Sequence, residues 1–122
     1  MEAPYTITFD EFWEWLCEHF NCIVRAGTPD AVYYDNEQFN WHFGSMVEGM
    51  LPVQLLMGKL LIGEFYVEKD TIDYVQIYPP ENEREHTFEL ISETEGDHFP
   101  AYIFVMAHGY EKDDIPSKGR IH

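Results

Sequence analysis

A segment near the start of the chain has the pattern of an amphipathic helix. Thr8 is followed three residues later by Glu11, which is the spacing of a capping box at a helix N-terminus. Apolar residues then recur so that, at 100° per residue, their side chains share one arc of about 120°. The pattern predicts a helix from about Phe9 to about Phe20 or Ile23. The residues on the apolar arc are Phe9, Phe12, Trp13, Leu16, Phe20, Ile23 and Val24.

Most of the remaining sequence has the pattern of short strands. Gly58 and Lys59 separate two apolar segments, and a glycine first in a two-residue loop favours a type II′ hairpin turn. Gly63, inside the second of these segments, predicts a bulge. The polar residues 35–38 predict another hairpin, between the strands on either side. The predicted strands are 31–35, 39–44, 53–57, 60–67, 71–78, 86–92 and 99–108, and the segment 85–93 is also compatible with a helix.

The order of these elements indicates the fold class. Strands that follow one another without intervening helices favour antiparallel pairing. We therefore expect an α+β fold, in which the N-terminal amphipathic helix packs on a curved, mainly antiparallel sheet of five to seven short strands. With 122 residues, 45% of them hydrophobic, the chain is long and apolar enough for one core. We predict a single domain over 1–110, followed by a polar C-terminal tail over 111–122.

The sequence favours a cytoplasmic location. Its first residues include an acid and no basic segment before an apolar stretch, so they lack the pattern of a secretory signal. No apolar stretch approaches the ~20 residues that cross a bilayer. The two cysteines, Cys17 and Cys22, are five residues apart, which on a helix separates them by about 140° and prevents a disulfide. Unpaired thiols are typical of a reducing compartment.

Acidic side chains far outnumber basic ones. The chain has 23 Asp and Glu against 7 Lys and Arg, so its formal net charge is −16. This charge repels nucleic acids and anionic membranes, so we expect neither as a partner, and we expect a basic protein, such as a nucleic-acid-binding protein, instead. Averaged over the whole surface, the charge density is about fourfold below that of DNA. Mimicry of DNA therefore requires the acids to lie together on one face.

Two groups of acids are candidates for a binding surface. One recurs every four residues along the predicted helix, and the other lies between residues 81 and 97, where Arg84 is the single Lys or Arg. Trp15 falls outside the apolar arc, so we expect it to be half exposed and to anchor an interface, unless it covers the edge of the helix–sheet contact. The predicted partner-binding residues are Asp10, Glu14, Trp15, Glu18, Glu81, Glu83, Glu85, Glu89, Glu93, Glu95 and Asp97.

Motifs for catalysis or metal binding are weak. None of the six histidines has H-x-x-x-H or H-x-H spacing, and the cysteines do not form a C-x-x-C pair. A metal site built from distant residues, such as Cys22, His42 and His108, is the alternative. No serine stands in a G-x-S-x-G motif, and there is no glycine-rich phosphate loop. We therefore predict no catalytic residue, no metal and no cofactor.

Together these features favour a non-enzymatic acidic interaction domain that docks on a basic protein surface, as an inhibitor, an immunity-type protein or a DNA mimic. The acids would steer the association, and Trp15 would slow the dissociation. Two alternatives stay open. One is a small acidic chaperone for a secreted protein, which a homodimer would favour. The other is a small-ligand-binding or enzymatic pocket on the concave face of the sheet, lined by aromatic residues of the strands.

Overall fold

The computed structural model describes residues 4–80, 82 and 84–110. These residues form one α-helix, nine strands and two single-turn 3-10 segments, Phe20–Cys22 and Lys69–Thr71. In chain order the elements are β1 (Tyr5–Ile7), α1 (Phe9–Cys17), β2 (Ile23–Thr28), β3 (Ala31–Tyr34), β4 (Asn40–Phe43), β5 (Met50–Met57), β6 (Leu60–Glu68), β7 (Tyr74–Ile77), β8 (His86–Thr94) and β9 (Asp97–Met106).

The strands form two antiparallel sheets. The larger sheet has six strands in the order β1-β7-β8-β9-β2-β3, and the smaller has three in the order β4-β5-β6. The α+β class with antiparallel strands is therefore confirmed. The expected single sheet of five to seven strands is wrong, because the nine strands divide between two sheets. Within the described residues, no helix is both long enough and apolar enough to cross a membrane.

The helix begins where its capping box predicts. The Thr8 Oγ1 atom accepts a hydrogen bond from the Glu11 backbone N–H at 3.1 Å, and the Glu11 carboxylate accepts one from the Thr8 N–H at 3.0 Å. The helix ends at Cys17, earlier than predicted, and Ile23 already belongs to β2. The helical spacing of apolar residues continues past Cys17 to Ile23 because Ile23 is also buried in the core. Ile23 reaches the core as the first residue of strand β2, however, and not as part of the helix.

The core contains buried side chains from the helix, the larger sheet and the smaller sheet. Phe12 of α1 is fully buried, and its ring lies 5.1 Å from that of Phe88 in β8 and 5.6 Å from that of Phe104 in β9. Phe88 and Leu90 of β8 are fully buried, whereas Glu89 between them is only partly buried. This alternation is that of a strand, so the helical alternative for the segment 85–93 is wrong.

The hairpin of β5 and β6 agrees with its sequence prediction. Gly58 has φ of +62°, the left-handed value that the first position of a type II′ turn requires. The register between the strands shifts between Leu55 and Leu56, which leaves Ile62, next to Gly63, as the extra residue of a bulge. The glycines therefore mark the turn and the bulge correctly.

The predicted hairpin across 35–38 is wrong. β3 pairs with β2, and β4 pairs with β5, so the two predicted partners lie in different sheets. The partner of β3 begins at Ile23, in a segment whose apolar spacing also suits the end of a helix. Residues 35–38 instead connect the sheets, where Asp35 accepts a hydrogen bond from Trp41 Nε1 at 3.1 Å. The predicted tail 111–122 lies outside the described residues.

Candidate functional site

Trp15 is fully buried, so the expectation that it is half exposed is wrong. Its ring stacks on that of His19 at 4.6 Å and lies 5.6 Å from that of Tyr110. His19 follows the helix and Tyr110 follows β9, so segments outside the helix cover this side of it. A helical projection does not contain these segments, and it therefore underestimates the buried arc. Trp15 is part of the core, where a partner cannot reach it.

Two of the described acids between 81 and 97 have partners within the fold. Glu85 pairs with Arg25 of β2, with 3.2 Å between the Oε1 and Nη1 atoms. Glu89, which lies on β8, accepts a hydrogen bond from the Tyr78 hydroxyl at 2.9 Å. The predicted binding residues Glu81 and Glu83 lie outside the described residues. Contacts within the fold therefore already engage Glu85 and Glu89.

A cleft at one end of the larger sheet gathers acids from distant parts of the chain. The cleft has a volume of about 650 Å³ and lies where the β2–β3 turn, the segment between β6 and β7, and the adjoining ends of β8 and β9 meet. Its lining residues include no Lys or Arg. The five acids that line this acidic cleft are Asp30, Glu68, Asp70, Asp73 and Glu93.

Further acids adjoin the acidic cleft. Glu95 and Asp97 belong to the β8–β9 turn, directly after Thr94 on the cleft wall. Asp10, at the start of α1, contacts Lys69 with 3.5 Å between Oδ1 and Nζ, and Lys69 precedes Asp70. The structure thus brings four of the predicted binding residues to this end of the molecule, namely Asp10, Glu93, Glu95 and Asp97. Glu14 and Glu18 are exposed on α1 and do not line the cleft.

Hydrogen bonds hold the Asp73 carboxylate and the backbone of two further cleft acids, Glu93 and Glu68, in place. The Asp73 carboxylate accepts a hydrogen bond from the Glu93 N–H at 2.7 Å, which links the segment before β7 to β8. The Glu68 N–H donates to the Tyr102 hydroxyl at 3.0 Å. Burial raises the pKa of Tyr102, so its hydroxyl keeps its proton at neutral pH. Acids therefore meet in the cleft because paired strand ends place them there.

One wall of the cleft is apolar. Phe99 is 48% exposed and lines the cleft beside Pro100 and Ala101. Carboxylates accept charge-assisted hydrogen bonds from ammonium and guanidinium groups, and an aromatic face attracts the same cations. A lysine or arginine side chain combines a cationic end with an apolar stem. The acidic cleft therefore has the chemistry to receive such a side chain.

Sequence reasoning missed four of the five cleft acids. Asp30 stands alone in the sequence, and Glu68, Asp70 and Asp73 share a short segment with Lys69, whereas the prediction favoured the longer acidic segment 81–97 and the helix acids. Each of the four lies at the end of a strand or in a turn or short connection. Acids at strand ends are the signal that could have found them, but their meeting depends on the strand order.

The histidine and cysteine side chains form one notable pair. Cys22 Sγ lies 2.9 Å from His108 Nε2, whereas His42 lines a different cleft together with Cys17. The structure therefore brings together Cys22 and His108 but not His42, so these three residues do not form the metal site of the alternative. In the part of the chain that the structure describes, no three His, Cys, Asp or Glu side chains are grouped to hold a metal ion.

Comparison with known proteins assigns no function to these features. No family model matches the chain, and no curated protein or solved structure matches it significantly. Functional inference therefore depends on the charges and contacts of the described residues.

Proposed function

We propose that the protein is a non-enzymatic acidic interaction domain that docks on a basic protein surface through its acidic cleft. The observation that carries the proposal is the meeting of five carboxylates around one cleft without a lining Lys or Arg. The role is that of an inhibitor, an immunity-type protein or a DNA mimic, because each of these presents acids to a cation-rich partner.

The local charge density supports a cationic partner. A sphere of 650 Å³ has a surface of about 360 Å², so five carboxylates amount to about one charge per 70 Å². The corresponding value for DNA, taken as a cylinder of ~10 Å radius, is about one charge per 110 Å². The acids are thus more concentrated around the cleft than on the surface as a whole, which supports a cationic partner. Mimicry of DNA requires a local concentration of acids of this kind.

An aromatic contact near the acids supports a lasting complex. Phe99 presents about half of its surface at the cleft wall and can pack against the stem of a bound basic side chain. Acids steer the encounter, whereas burial of an aromatic ring slows dissociation. Phe99 therefore takes the role that the buried Trp15 cannot have.

We also infer that the larger sheet is curved, with the N-terminal helix on its inner face. The register shifts between Ile23 and Arg25 in the β2–β9 pair and between Leu90 and Ile91 in the β8–β9 pair support the curvature, because bulges bend strands. The contact between Asp10 and Lys69 supports a helix N-terminus close to the cleft. Curvature of this kind would bring the strand ends and the helix acids together.

The experiment compares two charge-matched variants. Asp30→Asn/Asp70→Asn removes two exposed cleft acids, and Glu18→Gln/Glu37→Gln removes two exposed acids outside the cleft. A basic partner is first isolated from a host lysate on the tagged protein, and its affinity for each variant is then measured at several salt concentrations. We expect the cleft variant to bind about tenfold more weakly and the control to bind within about twofold of wild type.

Two results would contradict the proposal. Equal weakening by both variants would mean that only net charge matters, and unchanged binding by both would exclude the acids from the interface. Phe99→Ala tests the aromatic contact separately, because its loss should raise the dissociation rate with little effect on the salt dependence.

A small cationic ligand is the second candidate. The cleft volume of about 650 Å³ lies within the range of small-molecule pockets, and its carboxylates would select an amine. A rise in melting temperature with millimolar spermidine that Asp30→Asn/Asp70→Asn abolishes would favour this candidate. Binding of a basic protein without such a rise would favour docking.

A further inference from the structure

Cys22 and His108 meet because two strands pair. Cys22 directly precedes β2, and His108 lies two residues beyond the end of β9. The Cys22 carbonyl accepts a hydrogen bond from the Ala107 N–H at 2.8 Å, which extends the β2–β9 pairing by one step. This contact brings Cys22 Sγ to 2.9 Å from His108 Nε2 across 86 residues of sequence.

A second cleft, distinct from the acidic cleft, reaches the thiol. We call it the thiol cleft; its volume is about 480 Å³, and Cys22 is part of its lining. Arg84, Asp35 and Glu85 supply its lining charges, and Glu85 is paired with Arg25 from outside the lining. Among the described residues of this region, two cations stand against two anions, so these residues add no net charge.

The imidazole changes what the thiol can do. Burial raises the pKa of the Cys22 thiol, so at neutral pH the sulfur keeps its proton and can donate it to His108 Nε2. A protonated thiol is a poor nucleophile unless a neighbouring base accepts the proton as the sulfur attacks. His108 stands at hydrogen-bond distance for this transfer.

We propose that Cys22 is a reactive thiol, activated by His108, that takes up a small disulfide compound as a mixed disulfide. The Cys22 sulfur attacks one sulfur of the reagent while its proton passes to His108 Nε2. The reagent's S–S bond breaks, the new S–S bond joins it to Cys22, and the leaving thiolate accepts the proton from His108. One disulfide is consumed and one is formed, so no further oxidant takes part.

The charge of the protein selects the reagent. A net charge of −16 repels anionic compounds from the surface as a whole, and the described residues of the thiol cleft offer no excess of cations to offset this. The reagent is therefore a disulfide of neutral or positive net charge. The uncharged probe 4,4′-dithiodipyridine meets this condition and releases a chromophore on reaction.

Cys17 is the internal control. Burial and the charge of Glu18 also raise the pKa of the Cys17 thiol, but none of the imidazoles in residues 4–110 is recorded in a hydrogen bond with Cys17. Cys17→Ser leaves Cys22 as the reacting thiol, and Cys22→Ser leaves Cys17. At pH 7 we expect the first variant to react with the probe at least about tenfold faster than the second. Equal rates would overturn the proposal.

The base is tested by His108→Gln in the Cys17→Ser background, with His42→Gln as the matched histidine control. We expect His108→Gln to slow the reaction by about tenfold or more, while His42→Gln leaves the rate unchanged. His19, whose ring lies 5.3 Å from that of His108, and His86, which faces Gly109, are the other imidazoles nearby. The rate of reaction with the probe is therefore measured at several pH values for each variant, and the variants are compared.

Two measurements keep the result independent of folding. Far-UV circular dichroism and the melting temperature should match among the variants, because His108 is exposed. Mass spectrometry after treatment with excess cystamine, a cationic disulfide, should show the adduct on Cys22. An adduct on Cys17 alone, or an unchanged rate in a folded His108→Gln variant, would contradict the activation of Cys22.

Discussion

Replacement of Trp15 by alanine separates a core residue from an interface anchor. The Trp15 side chain has 0% exposure and packs against the rings of Phe12, Phe88 and His19. Truncation of a buried Trp or Phe to Ala typically costs about 3–5 kcal/mol of unfolding free energy. Since small domains have about 5–15 kcal/mol in total, we expect Trp15→Ala to lose a large share of the stability.

The measurement is a urea titration followed by far-UV circular dichroism. With an m-value of about 2 kcal/mol per M, a loss of 3–5 kcal/mol lowers the midpoint by about 2 M. Trp15→Phe should lose less, about 1–2 kcal/mol, because Trp15 Nε1 is buried without a hydrogen-bond partner among the described residues and phenylalanine removes that group. Glu37→Ala, at an exposed position of the connection between β3 and β4, is the control and should stay within about 0.5 kcal/mol.

A loss below about 1 kcal/mol for Trp15→Ala, at an unchanged m-value, would refute this reasoning, since full burial of a Trp implies a much larger cost. So would a Trp15→Phe variant that is less stable than Trp15→Ala. Either result would mean that the helix does not pack its Trp15 face against β8.

Three other predictions concern single groups and the net charge. Tyr102→Phe removes the acceptor of the Glu68 N–H and should cost about 1–2 kcal/mol in the same titration, whereas Tyr34→Phe, at a residue 63% exposed, should cost almost nothing. Burial raises the pKa of Tyr102 above its unfolded value of 10.0. The stability that this group contributes is therefore complete below pH 10 and is lost as the pH rises through the folded pKa. Absorbance at 295 nm should show ionisation at higher pH in the native than in the urea-unfolded protein. Self-repulsion at net charge −16 should make the melting temperature rise as salt increases towards ~0.5 M, and a flat response would indicate local pairing of acids and bases.

The parts of the fold that the sequence predicts correctly depend on neighbouring residues. Thr8 and Glu11 satisfy each other within one helical turn, so the capping box can be read from their spacing alone. Gly58 supplies a positive φ to a two-residue turn, which likewise needs no distant partner. The antiparallel class follows from the lack of helices between consecutive strands.

The parts that the sequence does not predict depend on distant contacts. The end of α1 at Cys17 reflects the pairing of β2 with β3 and β9, which places Ile23 in a strand despite its helical spacing. The burial of Trp15 depends on His19 and on Tyr110, almost a hundred residues away in sequence. Local periodicity contains no information about either contact.

The sequence alone therefore determined the charge, the class of fold, the helix start and the β5–β6 hairpin, because these follow from composition and from contacts between close neighbours. Only the tertiary structure decided that Asp30, Asp73 and Glu93 share a cleft and that Cys22 meets His108. Strand order sets these meetings, and it results from burial and backbone pairing summed over the whole chain. A residue's chemistry is thus readable from the sequence, whereas its partners are not.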